Sequence, residues 1–260
     1  SAGDALTTGV DNIAIGSDAL SVCTIGTDNI AIGGDAGAAL TTGIDNVAIG
    51  GDALDACTIG TDNIAIGKGA LGAVITGINN VAIGGGAGIL VTSGGGNILL
   101  GKDAGNALTT GANNIALGLD ALGGENTGVN NVAVGLDALG AETTGVSNIA
   151  IGKDALKAQA GATGNIGIGV GAGDALTTGA DNVAIGLNSL GAGTTGASNI
   201  AIGTSALLAL TVATDCVGIG KAAGDALTTG VKNIAIGTDA LGAETTGVNN
   251  VAIGLDALKL

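Results

Sequence analysis

Aspartate is the residue of this chain best placed to do chemistry. Between Ser1 and Asp62 there are nine Asp and no Lys: Asp4, Asp11, Asp18, Asp28, Asp35, Asp45, Asp52, Asp55 and Asp62. Seven of them, Asp11, Asp18, Asp28, Asp35, Asp45, Asp52 and Asp62, fall into two series that recur at every seventeenth position. A chain that stacks at this period sets like charges one layer apart. A hard cation such as Ca²⁺, which takes carboxylate oxygens, would relieve their repulsion. These seven are the candidate metal ligands, and no other cofactor is expected. The competing reading is a solvated acidic face that keeps the molecule soluble. The three cysteines do not make a framework. Cys23 and Cys57 lie two repeats apart, roughly 10 Å at about 4.8 Å per layer, too far for a disulfide. All three are read as free thiols, the first two as small core hydrophobes. There is no His, and no Ser, Thr or Cys has a recognisable activating partner, so no catalytic residue is expected and the chain does not read as an enzyme. The runs Gly84-Gly85-Gly86 and Gly94-Gly95-Gly96 lack the Lys-Ser/Thr of a phosphate loop and read as corners.

The elements that must position these residues follow from one stretch, Asn233-Ile234-Ala235-Ile236-Gly237. It recurs at every seventeenth position from Asn12 to Asn250, with Cys216 alone replacing the Asn. Numbering slots from the Asn as slot 0, the consensus is N-[IV]-A-I-G-x-D-A-[LG]-x-A-x-T-T-G-x-[DN]. A period kept this strictly marks a solenoid, each repeat one layer of a stack. The expected fold is all-β, a parallel β-solenoid (β-helix or β-roll) of about 15 coils, with residues 1–260 as one domain. At the strand spacing this makes a rod about 70 Å long.

Phe, Trp, Tyr, Met, Pro, His and Arg are all absent, so Ile, Val, Leu and Ala must fill a narrow core. The alternation at slots 0 to 4 predicts a strand, and two or three short strands per coil are expected. The always-aliphatic slots 1 and 3 are expected to face inward, as at Ile13 and Ile15, and the Ala slot 2 outward, as at Ala14, Ala31 and Ala48. Slot 7 never outgrows Ser, so it too is expected inward, as at Ala19. Gly at slot 4 in every repeat implies positive φ or a close backbone approach, hence a corner. Slots 8 and 11 trade one large residue: Gly37 goes with Leu40 and Gly105 with Leu108, whereas Leu122 goes with Glu125 and Leu139 with Glu142. A Gly often follows the slot 8 Leu, as if the turn shifts by one residue. Slots 13 and 15 trade similarly, Ile25 with Thr27 and Thr42 with Ile44, and close packing of a core hole is the expected cause.

Stacking turns slots into ladders. The Asn column predicts amides bonded carbonyl to NH₂ along the axis, with Cys216 a gap. The Thr column at slot 12, from Thr7 to Thr245, is similar to the ice-binding face of antifreeze solenoids. Those use Thr-x-Thr on one face, and here the second Thr is the adjacent slot 13, which should point the other way. Slot 12 is therefore read as β-propensity and a hydrated edge. The Asp columns are similar to those of calcium-binding RTX solenoids, without their G-G-x-G-x-D nonapeptide.

The N-[IV]-A-I-G-x-x-A segment resembles the head repeats of trimeric bacterial autotransporter adhesins. The full T-T-G-x-[DN]-N-x-A-I-G-x-x-A-L unit looks still more like repeats of phage tail fibres and bacterial fibre proteins. The resemblance covers essentially the whole chain. It implies an extracellular or cell- or virion-surface fibre, often trimeric and used for attachment. Net charge −15 without Arg or aromatics disfavours nucleic acid, and no apolar run is long enough to span a membrane. The expectation is a structural rod that associates with itself, laterally through the outward Ala column or end to end, since the sequence starts and stops partway through a repeat. The alternative is an adhesin head or fibre shaft that binds a receptor or glycan, and a more distant one is ice binding.

Overall fold

Each repeat contributes one strand of three residues, and the strands lie parallel and in register. The structure, a computed structural model, describes residues 1–73, 76–124 and 127–259. Contacts divide it into two units, residues 1–130 and 131–260. The first holds β1 (Ile13–Ile15), β2 (Ile30–Ile32), β3 (Val47–Ile49), β4 (Ile64–Ile66), β5 (Val81–Ile83), β6 (Ile98–Leu100) and β7 (Ile115–Leu117). The second holds β8 (Val132–Val134), β9 (Ile149–Ile151), β10 (Ile166–Ile168), β11 (Val183–Ile185), β12 (Ile200–Ile202), β13 (Val217–Ile219), β14 (Ile234–Ile236) and β15 (Val251–Ile253). Within each unit every strand slot pairs with the same slot of the next coil: Ile13 with Ile30 and Ala14 with Ala31 in the first, Ile149 with Ile166 in the second. The chain is an all-β parallel β-solenoid, and no helix occurs among the described residues. One strand per coil replaces the two or three expected. Isolated parallel bridges at slot 15, such as Thr27 with Ile44, are the remnant of a second.

The strand faces the opposite way to the expectation. Ala31, Ala65, Ala82 and Ala116 at slot 2 are wholly buried, whereas Ile13, Ile15, Ile98 and Ile253 at slots 1 and 3 are 47, 58, 42 and 67 % exposed. The cause is the Asn. Its amide is buried inside the coil from Asn29 to Asn233, and a period of two then forces slot 2 inward with it and slots 1 and 3 outward. Slot 7 is inward as expected, with Ala19, Ala36 and Ala53 fully buried. The core therefore holds Asn, the mostly small residues of slots 2 and 7, and at slots 8 and 11 either one aliphatic side chain beside Gly or Leu beside a second group such as Cys23, Gln159 or Leu210.

The Leu trade at slots 8 and 11 is a core trade, and Leu20, Leu40, Leu54 and Leu108 are all buried. The turn does not shift to allow it. Slot 8 has positive φ in both versions, +50° at Leu20 and +58° at Gly37, and the slot 11 N–H reaches the slot 8 carbonyl in both, Cys23 to Leu20 at 3.2 Å and Leu40 to Gly37 at 3.0 Å. Glu125 lies outside the described residues. Slots 13 and 15 fill no hole. Ile25, Ile44, Ile59 and Ile78 are about half exposed, because the buried slot 14 Gly between them turns both neighbours outward. Slot 4 is the expected corner: Gly50 has φ +130°, and a Cβ there would lie 2.7 Å from the Gly67 carbonyl carbon in the next coil.

Candidate functional site

The seven candidate metal ligands occupy two corners. Asp11, Asp28, Asp45 and Asp62 stand at slot 16, and Asp18, Asp35 and Asp52 at slot 6; all seven have φ between +55° and +60°. Asp and Asn tolerate this left-handed conformation better than other side-chain-bearing residues, which gives each column a conformational cause. Asn79, Gly96, Asn113 and Ser147 take slot 16 with the same sign of φ where Asp does not. The Asp main chains also lock coils together, as when the Asp28 N–H donates to the Val10 carbonyl at 3.0 Å. Among the described residues no three His, Cys, Asp or Glu side chains converge on a point that would hold a metal ion.

The Asn ladder has the geometry its spacing predicts. Asn46 Nδ2 donates to Asn29 Oδ1 at 3.0 Å and to the Gly60 carbonyl at 2.7 Å, and the Asn46 N–H donates to the same Asn29 Oδ1 at 3.1 Å. Both amide hydrogens and the amide oxygen are thus used, which allows the group to be buried. Cys216 breaks the amide run. Its N–H still donates to Asn199 Oδ1 at 3.0 Å, but its thiol lies 3.1 Å from the Gly230 carbonyl and offers no amide oxygen to Asn233. Cys23, Cys57 and Cys216 are buried thiols that take part in no disulfide, and burial pushes each of them up in pKa.

One buried polar group escaped the sequence reading. Glu142 is fully buried in slot 11. Its Oε1 accepts the N–H groups of Thr143, Gly145 and Gly161 at 2.8, 2.6 and 2.9 Å, and its Oε2 accepts from Gln159 Nε2 at 2.9 Å. The sequence signal is the run Glu125, Glu142 and Gln159 in successive slot 11 positions, where most other repeats put Leu, Val or Cys.

Two outward faces and one groove remain. The strand face carries the Ile and Val of slots 1 and 3, with no charged residue at slots 0 to 4 in any repeat. The second face carries slots 13 and 15. The third feature is a groove of about 580 Å³ in the first unit, floored by Gly69, Gly72, Gly85 and Gly86 and edged by Asp52, Asp55, Lys68, Ile89, Leu90 and Lys102. The glycine substitutions at slots 5, 6 and 9 are its signal in the sequence. Lys102 pairs with Asp103 at 2.9 Å, Lys68 has no ion-pair partner among the described residues, and partial burial, with neighbouring Asp52 adding a smaller effect, pushes the Asp55 carboxyl up in pKa.

Most slot 12 hydroxyls are engaged by the next coil. Thr41 Oγ1 donates to the Thr58 carbonyl at 2.9 Å and Thr177 Oγ1 to the Thr194 carbonyl at 2.8 Å, so the column hydrogen-bonds along its own axis. No helix of the described residues is long and apolar enough to cross a membrane. The arrangement offers regular surfaces of fixed period rather than a convergent set of reactive groups. No protein-family model, curated protein or solved structure matches this chain.

Proposed function

We propose that this chain is the structural, non-enzymatic shaft of an extracellular filament or of a cell- or virion-surface fibre, packing side by side with further copies of itself. The observation that carries the reading is the strand face, where two aliphatic side chains per repeat point to solvent and no charge interrupts them. An uncharged apolar face of this regularity is costly to leave wet, and extended patches of this kind mark contact surfaces. Its period of about 4.8 Å is matched along its length by a surface of equal period, which a second copy supplies. The resemblance of the repeat to those of fibre proteins points the same way.

Sedimentation velocity across a range of concentrations tests this. The wild-type chain should self-associate at tens of micromolar, on the order of a weak interface. Ile32→Lys and Ile66→Lys, each on the outward side of its strand, should leave it monomeric with unchanged circular dichroism. A wild-type chain that stays monomeric throughout, or variants that associate equally well, would overturn the reading. A second reading, a fibre that binds a receptor or glycan, is favoured by the groove between Asp52 and Lys102. It predicts that a bulky residue at Gly85, on the groove floor, abolishes attachment to cells without affecting self-association.

A further inference from the structure

Slots 13 and 15 form a second outward face whose chemistry differs from that of the strand face. Each repeat places one and only one Thr or Ser there: Thr8 beside Val10, Thr27 beside Ile25, Thr42 beside Ile44, and so on to Thr246. The other position of each pair is aliphatic, except for Gly95 beside Ser93 and Gly161 beside Thr163, and no charge occurs at either slot in any repeat. The larger aliphatic members are well exposed, Val10 at 55 %, Ile25 at 54 % and Val248 at 53 %. The hydroxyls of Thr8, Thr27, Thr42 and Thr61 make no hydrogen bond among the described residues, in contrast to the slot 12 hydroxyls of Thr24 and Thr41, which donate to the next coil. Two columns about 6.6 Å apart, with a layer spacing of about 4.8 Å, thus carry a free hydroxyl and exposed methyl groups in nearly every layer of the first unit.

That combination discriminates between occupants. A dry contact with another protein surface would bury one unpaired hydroxyl per layer, each at a cost in free energy. The strand face, with no side-chain hydroxyl at slots 1 and 3, carries no such penalty. A charged ligand has no counter-charge to meet at either slot. Water satisfies the hydroxyls, and water caged around a rigid array of methyl groups has restricted orientation. A grid held by parallel backbone bridges between successive coils, Thr27 with Ile44, Ile44 with Thr61 and Thr61 with Ile78, therefore keeps its first water layer in repeating positions, and the ligand made of water in repeating positions is ice. We propose that the slot 13/15 face of the first unit, with Thr42 and Ile44 near its middle, adsorbs to ice crystals. The protein adsorbed there forces the ice front to grow as curved surface between bound molecules, which lowers the temperature of growth below that of melting.

The test is nanolitre osmometry with an ice-recrystallisation assay on the full chain. A gap between melting and growth temperatures, faceted crystals and slowed recrystallisation are expected. Ile44→Lys should reduce the gap at least fivefold, and Thr204→Lys, a control at an exposed slot 5 corner, should leave it intact. Circular dichroism checks each fold. If the Ile44 variant does not fold, Thr42→Tyr, at an exposed position whose side chain makes no hydrogen bond among the described residues, takes its place with the same expectation. A folded chain that gives no gap and no slowing of recrystallisation overturns the proposal, as does a folded face variant with full activity. Self-association scored separately by sedimentation distinguishes this outcome from failure of the fibre reading.

Discussion

At the scale of single residues, the solenoid trades backbone strain against core volume. Slot 8 is left-handed in all fifteen repeats, with Leu in ten and Gly in five. A side chain there costs roughly 1–2 kcal/mol relative to the right-handed region, yet Leu54 at φ +50° is wholly buried and fills the layer. Where Gly relieves the strain, a Leu at slot 11, or Val91 beside Gly88, supplies the volume. Leu54→Gly alone should therefore cost about 2–4 kcal/mol through the cavity it leaves, less the strain released. Cys57→Leu alone should cost about 1–3 kcal/mol by overpacking. The double variant should return to within about 1 kcal/mol of wild type, and a denaturant double-mutant cycle that shows simple additivity would refute the trade. Acidic side chains at slot 9 carry a second consequence. Burial raises the carboxyls of Asp55, Asp174 and Asp225, with neighbouring acids adding to the effect. A group whose folded pKa is raised contributes stability below its unfolded pKa of about 3.9, and that contribution is lost as pH rises through the folded value. Asp55→Asn should therefore melt higher than wild type at pH 7, and the difference should close by pH 3. A difference that widens on acidification would reverse the sign of this argument.

At the scale of the element, the strand and its corner show what the sequence made legible and what it did not. The period, the parallel stack and the Asn ladder followed from spacing alone, because identical slots one repeat apart must pair with one another. The direction of the strand did not, because two rules competed. Aliphatic residues belong inside, a rule that puts Ile13 and Ile15 there; slots kept small belong inside, a rule that puts Ala19 and, Leu99 aside, the Ala31 column there. The second rule prevails because the buried Asn sets the phase. The one large residue at slot 2, Leu99, fits only beside glycines: a Cβ on Gly88 or Gly105 would stand 2.6 or 2.8 Å from its methyl carbons. The Asp columns were visible as columns. Their cause is written in the alternation of Asp mostly with Asn, Gly and Ser, residues that accept left-handed corners, with Ala222 and Lys232 the exceptions, and that set points to backbone geometry as directly as to a cation. Glycines at slots 4 and 5, just past the strand, separate the two roles of that residue. Gly50→Ala forces a Cβ against the Gly67 carbonyl at φ +130° and should cost on the order of 3 kcal/mol or more. Gly34→Ala, with no atom within 4 Å of the added Cβ, should be neutral or stabilise by about 0.4–1 kcal/mol. Equal melting temperatures for the two variants would count against the corner as a steric requirement.

At the scale of the whole molecule, an apolar strand face and a strong net charge act against each other. The chain carries 22 acids and 7 Lys, for a net charge of −15, and part of the Lys complement is spent locally. Lys157 bridges Asp154 and Asp137 at 2.8 and 3.1 Å, and Lys259 bridges Asp256 and Asp239 at 2.6 and 2.9 Å. Two copies that meet on their strand faces bury aliphatic side chains but bring like charges together at the corners. The attraction comes from burial and depends little on dilute salt, whereas the repulsion reaches about 30 Å at 0.01 M ionic strength and only about 8 Å at 0.15 M. Association should therefore strengthen as NaCl is raised over this range, and light scattering at fixed protein concentration should follow ionic strength. CaCl₂ at matched ionic strength separates screening from site binding. Equal scattering in the two salts is the outcome expected from screening alone, and an excess in CaCl₂ would assign a bridging role to Asp11, Asp28, Asp45 and Asp62. Scattering that falls as salt rises would mean that charged contacts hold the copies together, and the strand face would lose its place as the interface.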